Sequence, residues 1–445
     1  MKQSKSSPPS EPIAVSRRLQ RRTFIGGLAG GISWLGSAAG TGGPWLRTAP
    51  KTIRRKRIAI VGTVINKYSH MEHFVDRFLE GFGWEGVWHR PNLEVASLYC
   101  DQFPEQDLAH ERSTRSGVPL YPTLTEALTL GGSKLAVDGV VIIGEHGKYP
   151  KNELGQVLYP RHRFFQETVR VFEQSDRAVP VFQDKHLSTD WSECVAQVAA
   201  THRLGFPYMA GSSLPVTWRI PEVEVPWGAD LVESVSVAYG GVDSYDFHAY
   251  ETAQCMSERR RGGERGVRTV QMLKGVAVCD WLEANQPTWE LVKSALTRSF
   301  SLRPRPGFSF ALPEMSWLRE NAGGFFLNQM EHVDGFRTTM VLLNGMVQDF
   351  TYAGRSRGGE IVSCQMHLPM PPRLSTLASF FSPLVHHIER MIHTGRPPYP
   401  IERTLLTSGM TMVGLESLQR GSAVVPTPQL NVAYLAPKAS NYWRT

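Results

Sequence analysis

Cysteine is scarce in this chain, and its spacing carries no motif. The 445 residues include five cysteines, and no two of them show the C-x-x-C spacing of zinc and thiol redox sites. An odd number excludes a framework in which every cysteine is paired, although a single bridge remains compatible with it. Cysteine is therefore not expected to bind a metal or to determine the fold through disulfides.

Long apolar runs and internal repeats are missing too. The weakly apolar stretch at residues 26–36 is too short and too rich in glycine for a membrane span. Hydrophobic residues make up 41% of the chain and charged residues 20%, which is usual for a globular protein. The length suggests more than one domain. We expect a small-molecule ligand rather than a membrane partner.

The net positive charge is concentrated in the first 39 residues. They contain six basic residues and one acid, and without them the net charge falls from +7 to +2, so a nucleic-acid partner is not predicted. Arg21 and Arg22 precede a Gly-rich apolar run and the small residues 37–39, a pattern typical of a twin-arginine export signal. We therefore predict a signal peptide over 1–39, a linker over 40–55 and a periplasmic location. The alternative is a disordered basic tail.

Strands alternate with helices over the next part of the chain. Continuous apolar runs, typical of strands covered on both faces, occur at 57–62, 94–99, 138–143 and 179–182. Helical spacing of apolar residues separates them. This alternation predicts a Rossmann-like, doubly wound parallel sheet, an α/β domain over residues 56–190.

The pattern changes after residue 191. Period-two alternation at 231–238 is followed by strand-like runs separated by hairpin signals such as Asp334-Gly335 and Asn344-Gly345. We predict an α+β domain with an open, mainly antiparallel sheet over 191–422, and a tail over 423–445. The helices predicted in this domain cover 266–283, 287–299, 377–393 and 402–419.

Polar residues follow several of the predicted parallel strands. The carboxyl ends of such strands meet at one edge of the sheet, where α/β proteins bind ligands. Lys185 is the first candidate, because an ammonium group can stabilise negative charge that develops on a substrate oxygen. The residues at these strand ends are Asp101, Gly144, Glu145, His146, Asp184, Lys185 and His186.

The order of the two halves resembles the Gfo/Idh/MocA oxidoreductases over about residues 56–422. Residues 393–398, with the sequence His-Thr-Gly-Arg-Pro-Pro, and the helix after them resemble the end of that family. Residues 180–187 lie where the family has its Glu-Lys-Pro motif. The resemblance implies that Lys185 is the family lysine, which binds substrate and assists hydride transfer.

A second match supplies the other catalytic candidates. Residues 240–248 resemble the family's Gly-rich segment, which ends in a catalytic histidine, and His248 takes that position. The resemblance implies that His248 moves the proton of the reacting hydroxyl. Asp243 and Asp246 are the candidates to orient it, and which of them does so, if either, is open. It also implies an enzyme that acts on CH–OH groups of a sugar or polyol, with subunits that pair through the open sheet.

The cofactor loop departs from the family pattern. The family has Gly-x-Gly-x-x-Gly after the first strand, so that the pyrophosphate can approach the backbone, but here Val64 and Lys67 replace two of the glycines. The resemblance implies NAD or NADP, with NAD favoured by an acid at the ribose position. The residues predicted to contact the dinucleotide are Gly62, Thr63, Val64, Asp101, Gly144, Glu145, His146 and Asp184. The alternative is a non-redox, carbohydrate-binding or lyase-like descendant that has lost the dinucleotide.

No metal site is predicted. His386 and His387 are adjacent on a predicted helix and therefore point about 100° apart. His70 and His73 share a helix face, but the sequence suggests no third ligand for them.

Overall fold

The computed structural model describes residues 54–303, 305, 312–375 and 377–444, so the predicted export signal lies outside the described residues. The strands of the first half are β1 Lys56–Gly62, β2 Phe82–Trp84, β3 Val87–His89, β4 Leu93–Cys100, β5 Gly139–Ile143, β6 Val181–Asp184 and β7 Tyr208–Gly211. Its helices are α1 His70–Glu80, α2 Ala109–Ser116, α3 Leu124–Thr129, α4 Arg161–Ser175 and α5 Trp191–Leu204.

Five of these strands form a parallel sheet in the order β4-β1-β5-β6-β7. In β1, Ile58 and Ile60 face one hydrophobic cluster while Ala59 and Val61 face another. Both faces of the sheet are thus buried, which explains the continuous apolar runs. The predicted doubly wound sheet is confirmed, and β7 extends it beyond residue 190, where the first domain was expected to end.

The second half contains the strands β8 Arg219–Ile220, β9 Leu231–Ala238, β10 Val267–Lys274, β11 Phe325–His332, β12 Arg337–Leu343, β13 Phe350–Ser356, β14 Ile361–Met366 and β15 Val425–Pro426. Its helices are α6 Tyr245–Ser257, α7 Val276–Ala284, α8 Gln286–Leu296, α9 Met315–Asn321, α10 Phe381–Thr394 and α11 Glu402–Gln419, with short 3₁₀ turns at Ala322–Gly324 and Pro428–Leu430.

These eight strands form one sheet in the order β15-β10-β11-β12-β9-β13-β14-β8. Neighbouring strands are antiparallel except β12 and β9, which run parallel. Val235 and Val237 of β9 pack in the cluster that contains α7 and α8, whereas Ala238 belongs to the cluster on the α6 side. The predicted mainly antiparallel sheet is therefore confirmed, with helices on both faces.

One expectation in this half is wrong, and one helix was not predicted. The helix predicted over 266–283 is strand β10 followed by α7, because Gly275, at a φ of 66°, ends the strand and starts the helix. Helix α6 has no counterpart among the predicted helices. Every residue from 246 to 257 is buried, so the one-sided apolar pattern of an amphipathic helix is missing.

The last two helices return to the first sheet. Phe381 of α10 packs edge-on against Phe74 of α1, with ring centres 5.3 Å apart. Helix α11 packs against α5, α6 and β10. The carboxyl edge of the parallel sheet is thereby enclosed by elements of the second half.

All five cysteines are buried free thiols. Within the described ranges, no helix combines the length and apolar character needed to cross a membrane.

Candidate active site

A cavity of about 180 Å³ lies between the carboxyl edge of the parallel sheet and the helices α6 and α10. Polar groups cover one part of its wall: Tyr68, His70, Glu145, His146, Lys185, Ser212, Ser213 and His248. Apolar groups cover another: Leu214, Leu368, Met370, Phe380 and Phe381. The structure thus brings together four of the predicted site residues, namely Glu145, His146, Lys185 and His248.

Lys185 directly follows β6 and is 4% exposed. Its backbone has a φ of 62°, a conformation uncommon for residues other than glycine that recurs at functional sites. The backbone N–H donates to the Gly211 carbonyl at 3.1 Å. This conformation directs the ammonium Nζ to Glu145 Oε1, at 3.1 Å.

Glu145 lies between two cations. Its Oε2 accepts from the Arg161 guanidinium at 2.6 Å, and Arg161 also donates to His186 Nε2 at 2.9 Å. Burial raises the pKa of Glu145, but the charges of Lys185 and Arg161 outweigh burial and hold that pKa well below its usual value. Burial lowers the pKa of Lys185, but attraction to Glu145 and Asp184 reverses this, and the Lys185 pKa is raised. The cluster is therefore ionised at neutral pH.

Gly144 and His186, which flank Glu145 and Lys185 in sequence, contact Arg161 of this cluster. A Cβ atom at Gly144 would lie 2.6 Å from Cγ of Arg161, so any larger residue there would clash with the arginine side chain. Burial and the charge of Arg161 lower the pKa of His186 well below its usual value, which leaves its Nε2 as an acceptor. Arg161 was not predicted as a site residue. It is the first residue of α4 and lies far along the chain from the end of β5 at Ile143, whose neighbour Glu145 it contacts.

His248 lies opposite Lys185, on the first turns of α6. Burial, together with Lys185, lowers its pKa well below the usual value, so the ring is neutral. Its Nδ1 lies 3.6 Å from Glu251 Oε2, and Ser212 donates its backbone N–H, at 2.9 Å, and its hydroxyl to the Glu251 carboxyl. Burial raises the pKa of Glu251 to about 7.

The carboxyl beside His248 is thus neither Asp243 nor Asp246. Residues three apart on a helix are neighbours, which brings Glu251 to His248 and turns Asp246 away. Asp246 Oδ1 accepts from the backbone N–H groups of Ser244 and Phe247, and Asp243 accepts from Gln156 at 2.6 Å. Among the described residues, no hydrogen bond or ion pair joins either aspartate to His248, so their orienting role stays a prediction against which this geometry argues. Glu251 is the carboxylate paired with His248, at 3.6 Å, but the two make no hydrogen bond.

A second histidine–carboxylate pair completes the wall. His70 Nδ1 lies 2.6 Å from Asp184 Oδ2, and the ring of His70 packs edge-on against His146 with centres 5.3 Å apart. Burial and the neighbouring His70 lower the pKa of His146 to about 4. His70 was considered only with His73 in the sequence, because its partner lies 114 residues away.

The segment after β1 is closed by its own hydrogen bonds. Residues 62–65 are all buried, and a side chain at Gly62 would meet the Ile143 carbonyl at 2.6 Å. The Thr63 N–H donates to the same carbonyl at 3.1 Å, and its hydroxyl donates to the Glu145 carbonyl. Val64 is 1% exposed, so its side chain fills the space that a family glycine leaves open.

The carboxylates at the start of α1 and after β4 are paired within the protein as well. Ser69 caps α1, and the Glu72 carboxylate accepts from the Tyr68 N–H, so a carboxylate occupies the helix N-terminus, where phosphates bind. Asp101 accepts from Tyr99, Tyr149 and Arg163 at 2.7, 2.8 and 2.5 Å, which uses its oxygens.

In this arrangement, residues 62–65, Glu72 and Asp101 do not fit a dinucleotide in the usual Rossmann position. The dinucleotide contacts predicted for Gly62, Thr63, Val64 and Asp101 stay predictions, and the geometry argues against them.

Comparison with known proteins places the fold. No model of a known protein family matches the chain, and no curated protein matches it in sequence. Solved structures do match. Myo-inositol dehydrogenase from Lactobacillus casei, in complex with NAD(H) and myo-inositol, is 11% identical, with 84% of this chain and 97% of that chain covered and a TM-score of 0.51. A probable dehydrogenase from Thermotoga maritima is 11% identical, with 84% and 99% covered and the same TM-score of 0.51.

A third match is scyllo-inositol dehydrogenase from Lactobacillus casei, at 9% identity, 84% and 98% coverage and a TM-score of 0.51. At such identities the likeness establishes the fold alone. The chain therefore has the two-sheet fold of these dehydrogenases, and the predicted fold is confirmed.

The Lys185–Glu145 pair can be tested by a double-mutant cycle. Lys185→Met leaves the buried Glu145 with only Arg161, and we expect the free energy of unfolding to fall by about 3 kcal/mol. The double variant Lys185→Met/Glu145→Gln removes both charges and should cost less than the sum of the single variants. Urea unfolding measures each value, with the exposed Lys134→Met as control. Strict additivity would show that the pair does not interact.

Asp246 should make stability fall as pH rises. Burial raises its pKa to about 7, whereas the unfolded chain loses this proton near about pH 4. The folded state therefore holds one more proton between these values, and this contribution to stability is lost on going from about pH 4 to about pH 7.

Asp246→Asn imitates the protonated form and should become more stable relative to wild type across that window, by on the order of a few kcal/mol. Urea unfolding at several pH values measures the difference. The exposed Asp280→Asn should show no such trend, and a flat difference for Asp246→Asn would contradict the expectation.

Proposed function

We propose that this protein is an acid–base enzyme that acts on a small polyhydroxylated molecule, of the sugar or polyol class, without a resident dinucleotide. One observation carries the proposal: a buried ammonium, Lys185, and a neutral histidine, His248, line one cavity beside a dinucleotide position that the protein's own groups fill. The fold shared with inositol dehydrogenases supports the substrate class.

Proton transfer falls to His248. Its low pKa leaves the ring free to accept a proton at neutral pH, and Glu251, 3.6 Å from Nδ1, stabilises the imidazolium that forms. The Lys185 ammonium stabilises negative charge on the adjacent ligand oxygen. Removal of a proton from carbon next to a carbonyl, the step shared by lyases and epimerases, needs these two functions together.

The size of the cavity supports a small ligand. Its volume of about 180 Å³ is below the roughly 300–1,000 Å³ of common ligand pockets. A single sugar ring suits this space better than a sugar ring together with a nicotinamide. The apolar wall formed by Met370, Phe380 and Phe381 offers a surface for the C–H groups of such a ring.

A second candidate is an NAD(P)-dependent oxidoreductase of sugars or polyols. Lys185 and His248 share one cavity, which is the combination that the family resemblance implies for hydride transfer. The solved myo-inositol dehydrogenase holds both NAD(H) and myo-inositol. This candidate requires the segment after β1 and the groups around Asp101 to rearrange before a dinucleotide can bind.

Dinucleotide binding and C–H exchange, both measured on the purified protein, separate the candidates. Mass spectrometry of the native protein and calorimetry with NAD and NADP should show neither bound dinucleotide nor affinity. NMR in D₂O should show exchange of the C–H next to the carbonyl for C–D in a panel of keto-inositols, aldoses and ketoses, whereas inositols without a carbonyl should not exchange. His248→Gln should slow this exchange about 100-fold or more, because it removes the base.

The exposed His202→Gln is the matched control and should exchange at the wild-type rate. Tightly bound NAD(H) in the native protein would overturn the first candidate in favour of the second. If no ligand of the panel gives either C–H exchange or a thermal shift, the proposed substrate class is contradicted.

We also propose export by the twin-arginine route, which the order of Arg21-Arg22, apolar run and small residues supports. In a bacterial host, Arg21→Lys/Arg22→Lys should abolish the appearance of the protein in the periplasm, measured by fractionation and immunoblot. Arg17→Lys/Arg18→Lys replaces the same number of arginines outside the motif, also without a change of charge, and should export normally. Equal periplasmic fractions for both variants would refute this route.

A further inference from the structure

A cluster of potential metal ligands lies away from the cavity, where the hairpin β2–β3 meets helix α10. One ligand atom of each of His89, His386 and Glu389 lies within 4.8 Å of the others. His89 ends β3, whereas His386 and Glu389 lie three residues apart on α10 and therefore on one helix face. About 300 residues of chain separate the hairpin from the helix.

The side chains of the cluster are already held in place. Glu389 Oε2 lies 2.7 Å from His89 Nε2, and its Oε1 accepts from the Asn92 N–H at 2.6 Å. The ring of His386 stacks on Trp84 with centres 4.5 Å apart. Such supporting contacts are the kind that orient metal ligands in proteins.

One ring nitrogen of His386 has no partner. His386 Nδ1 is buried and makes no hydrogen bond, although burying a polar group without a partner costs free energy. His89 Nε2 and Glu389 Oε2 are joined through the proton of a hydrogen bond at 2.7 Å, whereas two ligands of one zinc ion stand roughly 3.3 Å apart in tetrahedral geometry. An ion would replace that proton and bring His386 into the group.

We propose that His89, His386 and Glu389 bind a divalent transition-metal ion, with Zn²⁺ the best match to two imidazoles and one carboxylate. Three protein ligands leave the fourth tetrahedral position to water. The ion links the β2–β3 hairpin to α10, whose first residue, Phe381, forms part of the cavity wall. The site therefore fixes the position of α10, and it does not depend on the function proposed above.

The test uses full-length protein without a histidine tag, treated with a chelator and titrated with ZnCl₂ in a calorimeter. We expect one saturable site per chain and a rise in the melting temperature with Zn²⁺. Co²⁺ should give the visible absorption of a tetrahedral site. Glu389→Gln and His386→Phe should each weaken Zn²⁺ binding at least about tenfold.

Glu389→Gln and His386→Phe are chosen because each keeps a contact that holds the fold around the cluster. Gln keeps the acceptor for the Asn92 N–H, and Phe keeps a ring stacked on Trp84, which circular dichroism of the metal-free proteins checks. His110→Ala is the control, because His110 pairs with Asp107 at 2.8 Å on the surface without belonging to the cluster. The absence of saturable binding in wild type, or unchanged affinity in Glu389→Gln and His386→Phe, would overturn the proposal.

Discussion

The buried charge of Lys185 is the constraint on which the site depends. An ammonium removed from water costs several kcal/mol unless an opposite charge compensates it, and Glu145 supplies that charge at 3.1 Å. Glu145 is itself buried and accepts a second cation, Arg161, at 2.6 Å. Asp184, beside Lys185 in sequence, balances the charges of the cluster and positions His70 at 2.6 Å.

The same packing that positions Glu145 closes the segment after β1. The Thr63 hydroxyl donates to the backbone carbonyl of Glu145, and Val64 packs close to the turn at Gly147. A dinucleotide in the usual place would have to displace these contacts and the Glu72 carboxylate at the start of α1. In this arrangement, the contacts that hold the segment after β1 and a dinucleotide in the usual place exclude each other.

The sequence was sufficient for the parts of the site that follow from strand order. Glu145, His146 and Lys185 end neighbouring parallel strands, so apolar runs alone predict that they meet. Arg161, His70 and Glu251 could not be found in this way, since each comes from a helix whose packing decides which residue faces the strand ends. For Glu251 the three-residue helical spacing from His248 was a usable signal, but α6 is buried on all sides and its pattern does not indicate a helix.

Strand β10 was mistaken for a helix for a related reason. Its residues alternate between buried and partly exposed over 267–274, but the helix α7 follows after a single glycine, and the combined stretch has the length of one long helix. The length of this stretch favoured a single helix, because nothing in the local pattern marks Gly275 as a boundary between two elements rather than a glycine inside one.

The cavity separates groups of fixed charge from groups that can exchange a proton. On the sheet side, Lys185 and Glu145 stabilise each other's charges, and moving a proton between them would leave Arg161 uncompensated. On the α6 side, burial and the charge of Lys185 keep His248 neutral, and burial raises the pKa of Glu251 to about 7, so a change of protonation there breaks no pair of the ion cluster. A ligand between the two sides meets a permanent positive charge on one face and a base on the other. In the function proposed above, that asymmetry assigns proton transfer to His248 and charge stabilisation to Lys185.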